Sequence, residues 1–459
     1  MTQINSANII ASLIGKGRED EALEMYHSLG IDTADGYMAV LDILSQRGDD
    51  LRLLDLSCRG AQQFTAHAGI HAIYVQALLK VGDASAAAKT AETFMERSGN
   101  QGLWALWAES LLGAYEFEKA GAVLKQYMPQ NPFNAGAWIV TARLLWLHPI
   151  PDTKNVLQGL EQEIEDHSLE YSIDHGRMHF AAGLIHEAIG DFDAAWARFT
   201  KGNDIFGAIE MPDLEEDTRG AQQVAKLIDS QWIKDHALEK DRSPRPLFIM
   251  GSPSSGITDL YTAATADPTF GRLGAPRMFE RDLHRLCGAA HEDRYVEALS
   301  RLNKQDLEKL RSRYLAVNRD RIAGKQGLID GLGSNILHAG ILKAMFPDAM
   351  FMRACSNRSH EILDLFRLPL DPRAHRYTSN LASIEAGLSA QDALSLHWAQ
   401  AIGPDWTEVD GPKRKAVEAH VPGWIASGQG GMLTSEHFGW PAPRAAARKR
   451  YKELSSSAV

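Results

Sequence analysis

Through residues 1–235 the apolar positions recur at three- and four-residue intervals, broken regularly by short polar turns. Four of these turns fall at Gly17, Gly48, Gly82 and Tyr115, in GREDEALEMY, GDDLRLLDLS, GDASAAAKTA and YEFEKAGAVL. Their spacings are 31, 34 and 33 residues, so a helix–turn–helix unit repeats. Ala22, Ala87 and Ala120 each stand five positions after a turn, where two helices must approach closely. A further unit spans 182–199: Gly183 lets one helix press on the next, Gly190 and Asp191 make the turn, and Ala195 and Phe199 fill the seam. The 75 residues from Ala120 to Ala195 leave room for two irregular units. The pattern predicts an α-solenoid of five or six helical hairpins over 1–235.

Beyond residue 235 the period changes. Residues 236–246 are polar, carry two prolines and read as a linker. Short apolar runs then alternate with helical stretches, the pattern of a mainly parallel α/β sheet. Strands are expected at 247–250, 327–330 and 349–354, with helices from about 258, over 277–323, 334–345, 358–367 and 382–402. The fold class is thus α plus α/β: helical repeats at 1–235, a linker at 236–246 and an α/β domain at 247–404. Residues 405–459 read as an irregular extension ending in an exposed basic tail, RAAARKRYKELSSSAV.

Composition narrows the function classes. The 459 residues are 44% hydrophobic and 23% charged, ordinary for a globular chain with ample core. No apolar run is long enough to span a bilayer, and the N-terminus shows no basic region followed by an apolar one. Cys58, Cys287 and Cys355 are odd in number and far apart, which fits reduced thiols in the cytoplasm. Residues 1–240 hold 19 Lys/Arg against 35 Asp/Glu, a net of −16, whereas the remainder is +5. So acidic a front half argues against nucleic acid as its partner. None of the 17 histidines falls in a metal-ligand spacing, and no nucleophile elbow is present.

The chemistry concentrates in RPLFIMGSPSSGITDLYTAATADPTF, residues 245–270. An apolar strand runs into a Gly-rich loop and then a helix, an arrangement that aims backbone amides and a helix N-terminus at one anion. Gly251, Ser254, Ser255, Gly256 and Thr258 are the candidate anion-binding residues. The frame is that of a nucleotide-binding loop without its lysine, and Asp330 alone stands at a strand end for a triphosphate site. This segment resembles the opening of the sulfotransferases that use 3′-phosphoadenosine-5′-phosphosulfate (PAPS), particularly the bacterial kind preceded by tetratricopeptide (TPR) repeats. Their loop reads Gly-Met-Pro-Arg-Ser-Gly-Thr-Thr. Gly251, Pro253, Ser255, Gly256 and Thr258 match it, while Ser254 replaces the arginine and Ile257 the first threonine.

The resemblance implies a TPR-like solenoid joined to a sulfotransferase-like α/β domain, and it can be followed further. Phe270-Gly271-Arg272-Leu273-Gly274 stands for Phe-Gly-Ala-Gly-Glu, with Gly274 in place of the catalytic glutamate. Asp330, Asn335, Leu337 and His338 match a second motif whose lysine is here Gly331. Phe346-Pro347-Asp348-Ala349 leads into a third, where Ser356-Asn357-Arg358 replaces Arg-Asp-Pro and Asp364 replaces the phosphate-binding serine. Each charge-assisted hydrogen bond contributes about 1.5–3 kcal/mol, so losing three weakens a nucleotide on the order of a thousandfold or more. The expected function is therefore a catalytically degenerate relative that needs no cofactor and holds a protein or peptide in its TPR groove. The alternative is an active sulfotransferase using PAPS, or another phosphorylated donor, on a peptide, protein or glycan. Arg353, Arg358, Lys343, Arg272 and Arg277 are the cations that could then take over, with His338 a candidate base.

Overall fold

The computed structural model describes residues 33–47, 50–80, 83–167, 171–240, 245–265, 267–273, 278–286, 299–410 and 445–457, with a few isolated positions besides. Gly17, Gly48, Gly82, Gly274, Arg277 and Cys287 of the sequence reading lie outside these residues, as do 411–444. Two compact units form: Met1–Asn131 with Pro276–Met278, and Pro132–Ala275 with Phe279–Val459. The division falls well before the linker read at 236–246.

In the first unit, helices α1 (Ala34–Arg47), α2 (Asp50–Gln63), α3 (Ala68–Lys80), α4 (Ala84–Ser98), α5 (Trp104–Gly113) and α6 (Phe117–Tyr127) follow one another. Each packs on the next, and α1 on α3 and α3 on α5 as well. Ala22, Ala87 and Ala120 are fully buried, as the close approach of helices requires. The α5–α6 turn places Tyr115 at φ 62°, with Glu116 N donating to Leu111 O at 2.9 Å. In the second unit the α9–α10 turn has the same bond, Asp191 N to His186 O at 2.9 Å, with Gly190 at φ 84°. A left-handed residue without a Cβ is the less strained solution.

The second unit begins with α7 (Ala135–Leu147), α8 (Thr153–Asp166), α9 (Ile173–Ala188), α10 (Phe192–Ile209), α11 (Leu214–Leu227) and α12 (Ser230–His236). A Cβ on Gly183 would lie 2.5 Å from the Phe199 ring, and one on Gly176 2.4 Å from Phe206. Those two glycines let α9 and α10 close on each other.

The sheet comprises β1 (Arg245–Met250), β2 (Phe270–Arg272), β3 (Gly327–Asp330), β4 (Met350–Cys355) and β5 (Trp406–Asp410). All four pairings are parallel, in the order β2-β3-β1-β4-β5. Central β1 is covered on both faces, which is why PLFIM is a continuous apolar run. The helices that follow β1 in the chain are α13 (Ile257–Ala264), α14 (Met278–Leu286), α15 (Lys304–Val317), α16 (Arg319–Ile322), α17 (Ala339–Met345), α18 (Arg358–Phe366), α19 (Leu381–Ala401) and α20 (Ala445–Ser457). Helix α11 packs on α19 and α12 on α17, so the last two helices before the sheet are part of its surroundings. Among the described residues the chain is mostly helical with a small five-stranded parallel sheet, α plus α/β as expected.

The irregular extension needs correcting. Residues 406–410 form the fifth strand, and 445–457 form a helix docked on α10 and α18. The basic tail is not exposed throughout: Ala447 and Tyr451 are fully buried, Arg448 pairs with Asp364 at 2.7 Å and Arg450 with Asp193 at 2.6 Å. Only a narrow stripe, Ala447, Tyr451 and Leu454, faces inward, too thin to register as amphipathic in so basic a segment. Among the described residues no helix is long and apolar enough to cross a membrane.

Candidate anion site at the carboxyl edge of the sheet

After β1 the chain turns towards β3 and β2, and after β4 it turns towards β5. The carboxyl ends of β1 and β4 therefore bound the switch point at which parallel α/β sheets form their crevice. The loop 251–256 leaves β1 there, and residues 356–361 leave β4. Gly251 sits at φ 148°, and a Cβ on it would meet Ser255 Oγ at 2.6 Å and Ala354 O at 2.7 Å. A Cβ on Gly333 would stand 2.5 Å from Gly251 O, so the turn after β3 presses on the same loop. Gly256, at φ 86°, caps α13, whose first turn carries the half-buried Thr258.

The structure shows where the loop hydroxyls go. Ser252 Oγ donates to the carboxylate of Glu361, and Ser254 Oγ donates to the Glu361 carbonyl at 3.1 Å. Ser255 Oγ donates to Ser252 O at 2.7 Å. Glu361 is buried on α18; burial raises its pKa, while the Ser252 hydrogen bond and the fields of Arg358 and Arg353 oppose the rise. A carboxylate of the protein itself thus lies against the loop.

The candidate cations are also engaged. Arg353, buried on β4, donates one terminal nitrogen to Glu408 Oε1 at 2.9 Å and the other to Asp392 Oδ1. Arg358, the first residue of α18, donates to Asp392 Oδ2. Lys343 Nζ is spent on Asp405 Oδ2 at 2.7 Å and the Pro347 and Ala349 carbonyls at 2.7 and 3.3 Å. Arg272 is exposed on β2. Asp364, read as hostile to a phosphate, serves as the partner of Arg448 on α20.

Asp330 and His338 face different surroundings. Asp330 is fully buried and accepts from Tyr314 Oη at 2.7 Å, Leu332 N at 3.0 Å and Asn335 Nδ2 at 3.1 Å. Burial pushes its pKa up to about 6 in spite of those donors. It braces the end of β3, which uses up the acidic group a triphosphate site would need for a metal. The His338 ring is buried edge-on to Phe279, with Nε2 3.9 Å from Glu280 Oε1. Among the described residues no cluster of three His, Cys, Asp or Glu could hold a metal ion.

Sequence reasoning missed Glu361, Asp392 and Glu408, which belong to no motif and come from three separate elements. One signal was available for Glu361: it shares a helical face with buried Leu365, so a carboxylate there had to find donors inside the fold. Compared with models of protein families and with curated protein sequences, the chain matches neither.

Proposed function

We propose that this chain is a catalytically degenerate relative of the PAPS-dependent sulfotransferases, with a TPR-like solenoid over 1–235, and that it acts by binding a protein or peptide. The observation that carries this reading is the self-satisfaction of the loop and its cations. Ser252, Ser254 and Ser255 donate their hydroxyls to protein acceptors, and Asp392 spans Arg353 and Arg358. An incoming phosphosulfate would have to displace carboxylates already bonded there, without the loop arginine, lysine or glutamate of the family. The helical repeats, with helices packing on their first and second neighbours in the first unit, are what a partner-gripping groove is built from.

Calorimetric titration with adenosine-3′,5′-bisphosphate tests the reading. No heat of binding at millimolar ligand, from folded protein, is the expected result. Micromolar binding would remove the degenerate reading and restore sulfonate transfer as the activity to assay.

A further inference from the structure

The geometry points to Asp392 as a built-in counter-anion that closes an oxyanion site formed by Arg353 and Arg358, a site that opens to sulfate or phosphate when Asp392 loses its charge. The inference deepens the function proposed above and rests on it in one respect: the natural protein takes up no external anion there.

Two guanidiniums from different elements, the end of β4 and the start of α18, converge on one carboxylate, and each takes a separate oxygen of it. A tetrahedral oxyanion presents pairs of oxygens to arginine in the same way. Asp392 comes from α19, more than thirty residues from either arginine, and its side chain is half exposed. The point it occupies is therefore open to water. Arg353 does not depend on it for position, because Glu408 Oε1 holds the other terminal nitrogen and is itself fixed by Ser395 Oγ at 2.5 Å. Trp406 Nε1 in turn donates to Ser395 Oγ at 3.2 Å, anchoring the chain of bonds in β5. Among the described residues the buried Nε of Arg353 has no hydrogen-bond partner.

The local balance explains why the site is closed. Arg353 and Arg358 face three carboxylates, Asp392, Glu408 and Glu361, which leaves a net negative charge. Neutralising Asp392 removes that excess and frees one donor of each arginine at a single solvent-facing point.

Asp392→Asn and Asp392→Ser test the inference, with thermal midpoint and titration calorimetry read in sodium sulfate against sodium chloride at matched ionic strength. Both variants are expected to gain a sulfate-specific rise in midpoint with millimolar half-saturation, absent from the natural protein and lost again in Asp392→Asn/Arg358→Ala. If Asp392→Asn fails to fold, the shorter Asp392→Ser decides alone. A folded variant that ignores sulfate overturns the inference, as does a natural protein that responds equally. Nucleotide binding to the natural protein is a separate result, which would overturn the function proposed above.

Discussion

Two clusters of arginine and carboxylate lie in the same compact unit and are built to opposite ends. Around Glu187, Arg367 donates from Nε and a terminal nitrogen at 2.9 Å each, and Tyr451 Oη and Trp146 Nε1 add bonds of 2.8 and 3.2 Å. The Glu187 and Arg367 side chains are 0% and 1% exposed, and the guanidinium lies 5.6 Å over the Phe199 ring. At the carboxyl edge of the sheet, Arg353 is nearly as deeply buried, but its partners Asp392 and Glu408 are 50% and 49% exposed. The first cluster joins α7, α9, the end of α18 and α20 into one body. The second keeps its acidic members at the solvent surface. Arginine–carboxylate clusters in one unit thus differ in how far their acidic members reach solvent.

The largest effect should come from breaking the sealed cluster. Arg367→Ala leaves Glu187 charged and buried, and chemical denaturation should show a loss of about 3–5 kcal/mol. The pair Arg367→Met with Glu187→Leu should recover most of it, because both desolvation costs disappear together. A loss confined to a fraction of this for Arg367→Ala would mean that water reaches Glu187 after all.

A buried carboxylate lacking a bonded arginine is the next test of the contrast, and Asp330 provides it. Its folded pKa of about 6 lies above the ordinary 3.8, so the native state binds the proton more tightly. That contribution is fully present below pH 3.8 and is lost as pH rises through 6, a fall on the order of 3 kcal/mol. Asp330→Asn should flatten this part of the stability profile, since Tyr314 Oη can accept as well as donate. A variant with an unchanged slope would assign the fall to other groups.

In the open cluster the cost should be smaller. Asp392→Asn should destabilise by less than about 1 kcal/mol, because half its surface is in water and Arg353 retains Glu408. A loss as large as that of Arg367→Ala would erase the distinction between the clusters. Smallest of all is Arg450→Ala: despite bonds of 2.6 and 2.9 Å to Asp193 and 3.0 Å to Glu453, the group is exposed, and no measurable shift in midpoint is expected.

Much of the fold was legible because it rests on local period. Runs such as PLFIM and GLID gave β1 and β3, and small residues at fixed offsets gave the helical hairpins. Three-residue β2 carries too little pattern to be seen. Strand β5, in WTEVD, is an edge strand whose pairing with β4 depends on partners 55 residues earlier. The 334–345 stretch reads as one helix, whereas the structure divides it into a 3₁₀ turn over Gly333–Leu337, whose Asn335 donates to Asp330, and α17. At the site, the loop glycines and serines were readable and their acceptors were not. Glu361 and Asp392 meet the loop and the arginines only through the tertiary fold, and sequence spacing carries no trace of that meeting.

The sealed cluster also imposes an order on synthesis. Arg367 follows Glu187 by 180 residues and Tyr451 follows it by 264. At ribosomal speeds of about 5–20 residues per second, Glu187 waits roughly 10–50 seconds for the last of its partners. Throughout that interval its carboxylate must stay hydrated, so α9 cannot settle into its final burial while the rest of the chain is being made. Chains that carry α9 and α10 but not yet α20 should accordingly remain sensitive to protease around 173–209, and protection should appear only once Arg367 and Tyr451 can reach Glu187.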